Sequence, residues 1–415
     1  MKKYDVLVAG GGFAGVAAAL AASREGANVL IIEKGNSLGG AATRCLVNPF
    51  MPYSTKIGGV ETRLTGGIFN EICKRLEDLG ALKFMSFLEE ELKLVLNDMA
   101  CEANIDLLFH SSIYDVCVEN GRVKSVSVAT RGGCERIEAD YFVDSTGDAQ
   151  LAYLAGCKTV LGRKCDSLCQ PMTLCFRLGN VDTKRFMSGI DELQKAYKEA
   201  KEKGEITNPR ENILVFKTPV DNVLHFNTTR VVKLNPTDAV DVTRAEVVAR
   251  NQVRELYEFM KEHAEGLENS FLMMTASEIG VRESRKIEGE YVLTEDDCRS
   301  FAKFDDGITA CNYDIDIHNP EGGGTSHYYF PQGEYYTIPL RCLIPKGVTN
   351  MLVAGRCISS DHGAQASYRI MPTVCSIGEA AGAAIGLASR QKVDVREVDA
   401  REVQKILRNN GAFIG

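Results

Sequence analysis

Basic residues are in deficit: 48 Lys and Arg stand against 56 Asp and Glu, a net charge of -8. Such a chain exerts no long-range attraction on phosphate backbones or anionic lipid, so nucleic acid is not an expected partner. Positive charge gathered at one site would stand out against this background. No stretch of about 18 uninterrupted apolar residues occurs, and no membrane span is expected. The opening "MKKYDVLVAGGGFAGVAAALAA" has the basic start and small residues of an export signal, but Asp5 and three consecutive glycines break it. The 14 cysteines include no CxxC pair and no Cys/His pattern at zinc spacing. Their densest group, Cys165, Cys169 and Cys175, reads as reduced, mostly buried thiols, which favours the cytoplasm. Low-complexity tracts are missing too, so the 415 residues are expected to fold throughout, into two or three domains.

What is present begins with "VAGGGFAG". Val6, Leu7 and Val8 form the short apolar run of a buried parallel strand, closed by glycine. From Ala14 to Arg24 the residues are strong helix formers, and "GANVLIIEK" supplies a second strand ending at Glu33 and Lys34. Within that strand, turn, helix and strand, Gly10, Gly12 and Gly15 take the spacing GxGxxG. The three glycines serve a tight turn, backbone approach to a pyrophosphate, and close helix-to-strand packing. The helix start, where Ala14 is a further cofactor candidate, offers unpaired N–H groups to phosphate, and Glu33, with Lys34 beside it as another candidate, can accept from ribose hydroxyls. The motif does not choose between NAD and FAD.

Three further segments do. "NSLGGAAT" follows Glu33, "YFVDSTGDAQLAYLAG" ends a strand, and "NMLVAGRCISSDHGAQASYRIMPTVCSIGEAAGAAIGLA" lies near the C-terminus. On these the chain resembles the FAD-dependent oxidoreductase family of the glutathione-reductase-like flavoprotein superfamily, distantly related to fumarate reductase flavoproteins. The resemblance spans nearly the whole chain. It implies that Gly39, Gly40, Ala41, Ala42 and Thr43 line the pyrophosphate and flavin edge, and that Thr146, Gly147 and Asp148 pass close to the first glycine turn. It implies further that Gly355 and Arg356 end a strand, that Asp361 reaches the ribityl or phosphate region, and that Pro372 and Thr373 start a helix aimed at the flavin. Adenine is expected near Ile113. Covalent relatives carry a histidine near the second glycine pair; "LGGAATRCLVNPF" has none, so FAD is expected to be non-covalent. A disulfide-reductase cysteine pair is missing, and "PEGGGTSH" lacks the flanks of a second dinucleotide turn.

The expected fold class is α/β: a Rossmann-like FAD-binding domain, a parallel sheet with a β-meander, plus an inserted α+β substrate domain. The FAD-binding domain is expected to be discontinuous, residues 1–156 and 336–415, with residues 157–335 between its halves. Val116 and Val118, then Val123, Val126 and Val128, alternate about Asn120-Gly121, a hairpin signal. "DELQKAYKEAKEKGE" reads as a charged helix stopping at Gly204, and "TRAE", Thr243 to Glu246, as a capping box opening a long helix.

Candidate chemistry lies in four places. Arg282 and Arg285, on one face if helical, could bind an anionic substrate or simply pair with Glu283, Glu288 or Glu290. His362, Tyr368 and Arg369 fall between the flavin-binding strand and the flavin-facing helix, where Arg369 could stabilise developing charge and His362 move a proton. Asp314, Asp316 and His318 are too sparse for a metal and read as a solvated loop, and no metal site is expected. Tyr335, Tyr336 and Arg341 are candidates for the pocket wall. The expected function is hydride transfer between FAD and a small-molecule substrate. The alternatives are a flavin monooxygenase or a flavin-dependent transfer-RNA modification protein. Substrate and oligomeric state have no readable signal.

Overall fold

The computed structural model describes residues 3–415. Val6, Leu7 and Val8 are wholly buried, as an unalternating apolar strand between two covered faces requires. Their strand, Tyr4–Ala9, is central in a parallel array running Asp106–Leu108, Val29–Ile32, Tyr4–Ala9, Gly133–Asp144, with Met351–Val353 beside the last. The strand Gly133–Asp144 serves two partners. Its second half runs parallel to Tyr4–Ala9, and its first half runs antiparallel to Arg122–Thr130. The hairpin Ser112–Glu119 to Arg122–Thr130 turns at Asn120 (φ 51°) and Gly121 (φ 73°), both in the left-handed region that such a two-residue turn demands.

The helix Phe13–Arg24 packs against Met371–Gln391. A Cβ on Gly378 would strike the carbonyl of Ala14, and one on Gly382 that of Ala18, so the helices approach more closely than side chains permit. Met371–Gln391 is long and apolar enough to cross a membrane, and it is buried inside this protein.

The middle of the chain builds an antiparallel sheet in the order Val215–Lys217, Leu224–Phe226, Phe176–Gly179, Phe271–Thr275. Phe176 and Phe226 stack at 4.9 Å on one face, joining a cluster that includes Leu193 and Tyr197 of the helix Ile190–Glu202 and Val253, Leu256 and Met260 of Ala239–His263. That cluster draws on Met172 to Ile279 plus Leu46. By Leu293 the chain packs into the core of the parallel sheet, with Cys298, Ile308 and Ile315. Short antiparallel pairs in this stretch carry no strong sequence pattern.

Gly204 (φ 77°) closes the Ile190–Glu202 helix. The long helix does not open at the Thr243 capping box. It begins at Ala239, where the Asp238 carboxylate accepts from the amides of Val240 and Asp241, both at 2.9 Å. Thr243 lies inside and returns its hydroxyl to the Ala239 carbonyl at 2.7 Å, the local bond that lets threonine sit mid-helix.

One buried acid in this framework gives a test. Glu379 in the C-terminal helix accepts from the Ile68 amide at 3.0 Å, and Gly67 above it (φ 54°) has no room for a Cβ. Burial raises its pKa from 4.5 to about 7, against the opposing pull of that amide and Arg24. A carboxyl with a raised folded pKa binds its proton more tightly when folded. Its contribution to stability is therefore full below the unfolded value and is lost as pH rises through about 7. Glu379→Gln keeps an acceptor and removes the titration. It should be more stable than wild type at about pH 8, by roughly 1–3 kcal/mol, with the gap closing towards about pH 5. A gap independent of pH in thermal unfolding would refute the assignment.

Candidate functional site

A cleft of about 550 Å³ runs between the glycine turns and the middle sheet. Gly10, Gly12, Glu33, Lys34, Gly40 and Ala41 line one wall, with Thr146, Gly147, Asp148 and Arg356. Cys175, Leu214, Phe216 and Asn227 come from or beside the antiparallel sheet, and Arg210, Arg282, Asp316, His318 and Arg369 complete the lining.

The three motif glycines meet different constraints. Gly10 (φ 97°) lies against the Ser145 carbonyl, where a Cβ would come within 2.7 Å. A Cβ on Gly15 would collide with the Gly10 carbonyl and the Ser145 hydroxyl. Gly12 has ordinary backbone angles (φ -71°), and the nearest atom to a Cβ there is the Gly40 Cα at 4.0 Å. It faces open cleft. Gly39 donates to the Gly11 carbonyl at 2.8 Å, which ties the second glycine turn to the first. The result is a wall of bare backbone at the start of a helix, a surface that suits a pyrophosphate.

Glu33 accepts from the amides of Gly11 and Gly35, each at 2.7 Å, and pairs with Arg44, which also pairs with Glu278. A carboxylate has about four acceptor sites, so three are used here. Lys34 lies 3.6 Å from Glu278. Asp144 ends its strand by accepting from the Thr146 amide (3.0 Å) and hydroxyl (2.7 Å) and the Ala152 amide (2.8 Å), which shapes the Thr146-Gly147-Asp148 turn. Arg356 pairs with Asp148 at 2.8 Å and covers Gly147 (φ 80°).

Other expected cofactor residues sit behind the wall. Ala14 packs against Gly355 and Gly378; Ala42 is buried, and the Thr43 hydroxyl bonds the Leu38 carbonyl at 2.8 Å. Ile113 pairs with Val128 in the outer hairpin and does not line the cleft. Asp361 also stays outside: its two carboxylate oxygens accept from Ala364 (2.8 Å), capping the helix His362–Tyr368, and from Glu295 (2.9 Å). Pro372 and Thr373 occupy the buried first turn of Met371–Gln391, while Ile370 and Met371 open onto the cleft.

Of the four candidate catalytic residues, Arg282 and Arg369 reach the cleft and His362 and Arg285 do not. His362 Nδ1 lies 2.8 Å from Glu283, which is fully buried and held by Lys286 at 2.6 Å and the Gln170 amide at 3.0 Å. Burial pushes the Glu283 carboxyl up, but the hydrogen bond with His362 and the charge of Lys286 bring it below its ordinary value. Arg282 and Arg285 share no helical face, because Arg285 begins the strand Arg285–Ile287. Arg285 donates to the Asp148 carbonyl at 3.0 Å and to Gln150 at 2.6 Å, and lies 4.3 Å from the Tyr153 ring centroid. Neither arginine pairs with Glu288 or Glu290, which take Lys346 and Arg396. Tyr335, Tyr336 and Arg341 lie outside the cleft; Tyr336 bonds Ser367 at 2.9 Å, and Arg341 pairs with Asp306 at 2.9 Å.

The largest departure concerns Asp316 and His318. Ile315–His318 is a strand paired with Thr325–Tyr328, and both polar side chains are buried rather than solvated. His318 Nε2 lies 3.2 Å from Asp316, and its Nδ1 lies 2.9 Å from an Arg230 nitrogen. A guanidinium only donates, so Nδ1 accepts and the ring proton sits on Nε2, aimed at Asp316. Burial, reinforced by the charge of Arg282, lowers the His318 pKa and keeps the ring neutral. Burial would raise Asp316, yet the bond from His318 and the charges of Arg369, 3.6 Å away, and Arg282 hold it well below the usual carboxylate range. The alternation Asp314, Asp316, His318 was the one available signal. Arg210 and Arg230, isolated in sequence, carried none.

The fold is mixed α/β with a parallel sheet, a Rossmann-like FAD-binding architecture carrying an additional domain. The profile of the FAD dependent oxidoreductase family matches residues 5–407, and the chain belongs to that family. It is an FAD-dependent oxidoreductase, with FAD as its cofactor. No curated protein matches its sequence. Among solved structures it is similar to a geranylgeranyl bacteriochlorophyll reductase-like protein from Thermoplasma acidophilum, at 14% identity over 99% of this chain and 83% of that one, TM-score 0.48. It is also similar to p-nitrophenol 4-monooxygenase PnpA from Pseudomonas putida DLL-E4, at 10% identity over 99% and 85%, TM-score 0.47.

The glycine geometry separates two variants. Gly12→Val should abolish FAD loading while its unfolding stays within about 1 kcal/mol of deflavinated wild type, because the new side chain fills only open cleft. Gly15→Val should be destabilised by about 2 kcal/mol or more, through overpacking against Gly10 and Ser145. Flavin content and thermal unfolding decide, and full loading of Gly12→Val would mean that the cradle lies elsewhere.

Proposed function

We propose that the protein passes a hydride between non-covalently bound FAD and a small organic substrate held in the same cleft. The carrying observation is that one continuous cleft joins the bare glycine wall to a group of charged and polar side chains, the half-buried Arg282 and Arg369 and the buried Asp316 and His318. Bound FAD supplies a two-electron carrier able to take or give a hydride. Gly12, Gly40 and the first amides of Phe13–Arg24 would hold its pyrophosphate, and the remaining acceptor site of Glu33 a ribose hydroxyl. The start of Met371–Gln391 presents the positive end of a helix to the cleft. Arg369 would stabilise charge on the substrate, Asp316 would accept a hydrogen bond as a fixed carboxylate, and neutral His318 would orient Asp316.

Residues 1–156 and 336–415 would form the cofactor-holding unit, and residues 157–335 the part that sets specificity. The packing of Leu293 to Ile315 with the parallel sheet supports a functional edge of that part nearer Ile279. The two linked glycine turns and the strand-end turn at Thr146 support kinship with the glutathione-reductase-like superfamily. Non-covalent attachment is supported by the lack of histidine in "NSLGGAATRCLVNPF".

Acid denaturation should release intact FAD, and anaerobic mixing with a panel of small reductants and oxidants should bleach or restore the bound flavin. With a responsive substrate, Arg369→Ala should keep FAD and slow that half-reaction on the order of 100-fold. His362→Ala, which breaks a contact with Glu283 outside the cleft, should lower stability and leave the half-reaction near wild type. Flavin that stays on the denatured chain, or a wild-type rate in Arg369→Ala, would defeat the proposal.

A further inference from the structure

Two arginines at the cleft, Arg210 buried and Arg282 half-buried, lack what its other arginines have. Arg44 pairs with Glu33 and Glu278, Arg356 with Asp148, Arg369 with Asp316, and the neighbouring Arg230 with Glu211. Among the described residues, Arg210 and Arg282 form no ion pair. Arg210 is only 6% exposed, and its Nε donates to Asn212 at 3.2 Å. Its two terminal nitrogens have no protein acceptor among the described residues, although the residue lines the cleft. Arg282 donates only to neutral oxygens, those of Pro171 (2.9 Å), Asn227 (3.2 Å) and the Thr173 hydroxyl.

These guanidinium groups also repel one another. Burial and the charges of Arg369 and Arg210 push the Arg282 pKa down to about 9, and burial with Arg210 pushes Arg230 down to about 10. Four guanidinium groups, Arg210, Arg230, Arg282 and Arg369, thus stand against two carboxylates, Glu211 and Asp316. Asp316 Oδ1 and Arg369 Nε are additionally buried without a hydrogen-bond partner. Uncompensated charge in such surroundings is costly unless a ligand supplies the counter-charge. The planar guanidinium fork matches the paired oxygens of a carboxylate or a phosphate.

We propose that the substrate is a small organic acid whose carboxylate is bound by Arg210 and Arg282. The inference rests on reading the cleft as the flavin redox site. The phosphates of FAD are a poorer counter-charge for this pair. The glycine wall is built on Ser145 and Gly40, whereas Arg282 is tied to Pro171, Thr173 and Asn227, and Arg210 to Asn212, all in the middle of the chain.

The test uses the protein as isolated, with its flavin, in titration calorimetry and visible absorbance. Acetate, malonate, neutral malonamide and inorganic phosphate serve as probes. Malonate or acetate should bind saturably and perturb the flavin spectrum, and malonamide should do neither. Arg210→Gln and Arg282→Gln should each weaken that binding about 10-fold or more with FAD content unchanged, and Arg210→Lys should recover part of it. Without ligand, Arg210→Gln should unfold no earlier than wild type, because it removes an unpaired buried charge. No heat from either carboxylate, tighter binding of phosphate than of malonate, or a marked loss of stability in Arg210→Gln would overturn the proposal. Loss of FAD from both glutamine variants would also overturn it, by assigning the pair to the cofactor phosphates. Absence of FAD from the wild-type protein is a separate result. It defeats the redox reading, while the calorimetry still reports on the carboxylate site.

Discussion

The architecture depends on a helix held closer to its neighbours than side chains allow. Phe13–Arg24 touches the end of Tyr4–Ala9 at Gly15, where only hydrogen fits against the Gly10 carbonyl, and it touches Met371–Gln391 at Gly378 and Gly382. That double contact locks the two ends of the chain around one turn. It also explains how a wall of backbone amides can be rigid: Gly10 and Gly15 are fixed by packing while Gly12, between them, is left bare. Close packing stabilises a cradle whose own surface contributes no packing.

Two buried or half-buried ion-pair systems then fix the middle of the chain onto this frame. Arg44, next to the second glycine turn, reaches both Glu33 and Glu278, while Arg177 of the antiparallel sheet meets Glu89 at 2.6 Å at the start of the helix Glu89–Glu102. Neighbouring His225 is fully buried, with no partner for either ring nitrogen and a pKa pushed down to about 3 by burial and the charge of Arg177. A neutral ring beside that arginine leaves Glu89 as the charge that balances it. The sheet face opposite the Phe176–Phe226 stack therefore meets the helix Glu89–Glu102 through polar groups, and it leaves a cleft lined by Leu214, Phe216 and Asn227.

Inside that cleft the electrostatics are graded. Near the glycine turns each charge has its opposite, as in Arg44 with Glu33 and Arg356 with Asp148. At Asp316, His318 and the surrounding arginines positive charge predominates, in a chain that is acidic as a whole. The neutral His318 ring is essential to this arrangement: it accepts from Arg230 and donates to Asp316, passing orientation from one to the other without adding a charge.

The sequence by itself determined the backbone around the first glycine turn and the outer hairpin. Each signal there is local: an apolar run closed by glycine, a GxGxxG, an acid at the next strand end, a hairpin at Asn120-Gly121. Backbone geometry over a few residues has few solutions, so those segments meant the same thing alone as in the fold. Tertiary structure decided the chemistry at the other end. His362 lies close in sequence to the helix that opens on the cleft, yet Glu283 draws it away from the cleft. Arg285 was assigned to a strand by its pairing with Leu161. Asp316, which looked solvated, became buried because His318, Arg230 and Arg369 arrived from elsewhere in the chain. Whether a charged side chain is free, paired or catalytic depends on partners tens to hundreds of residues away, and the energy of a buried charge is set by those partners rather than by its sequence neighbours.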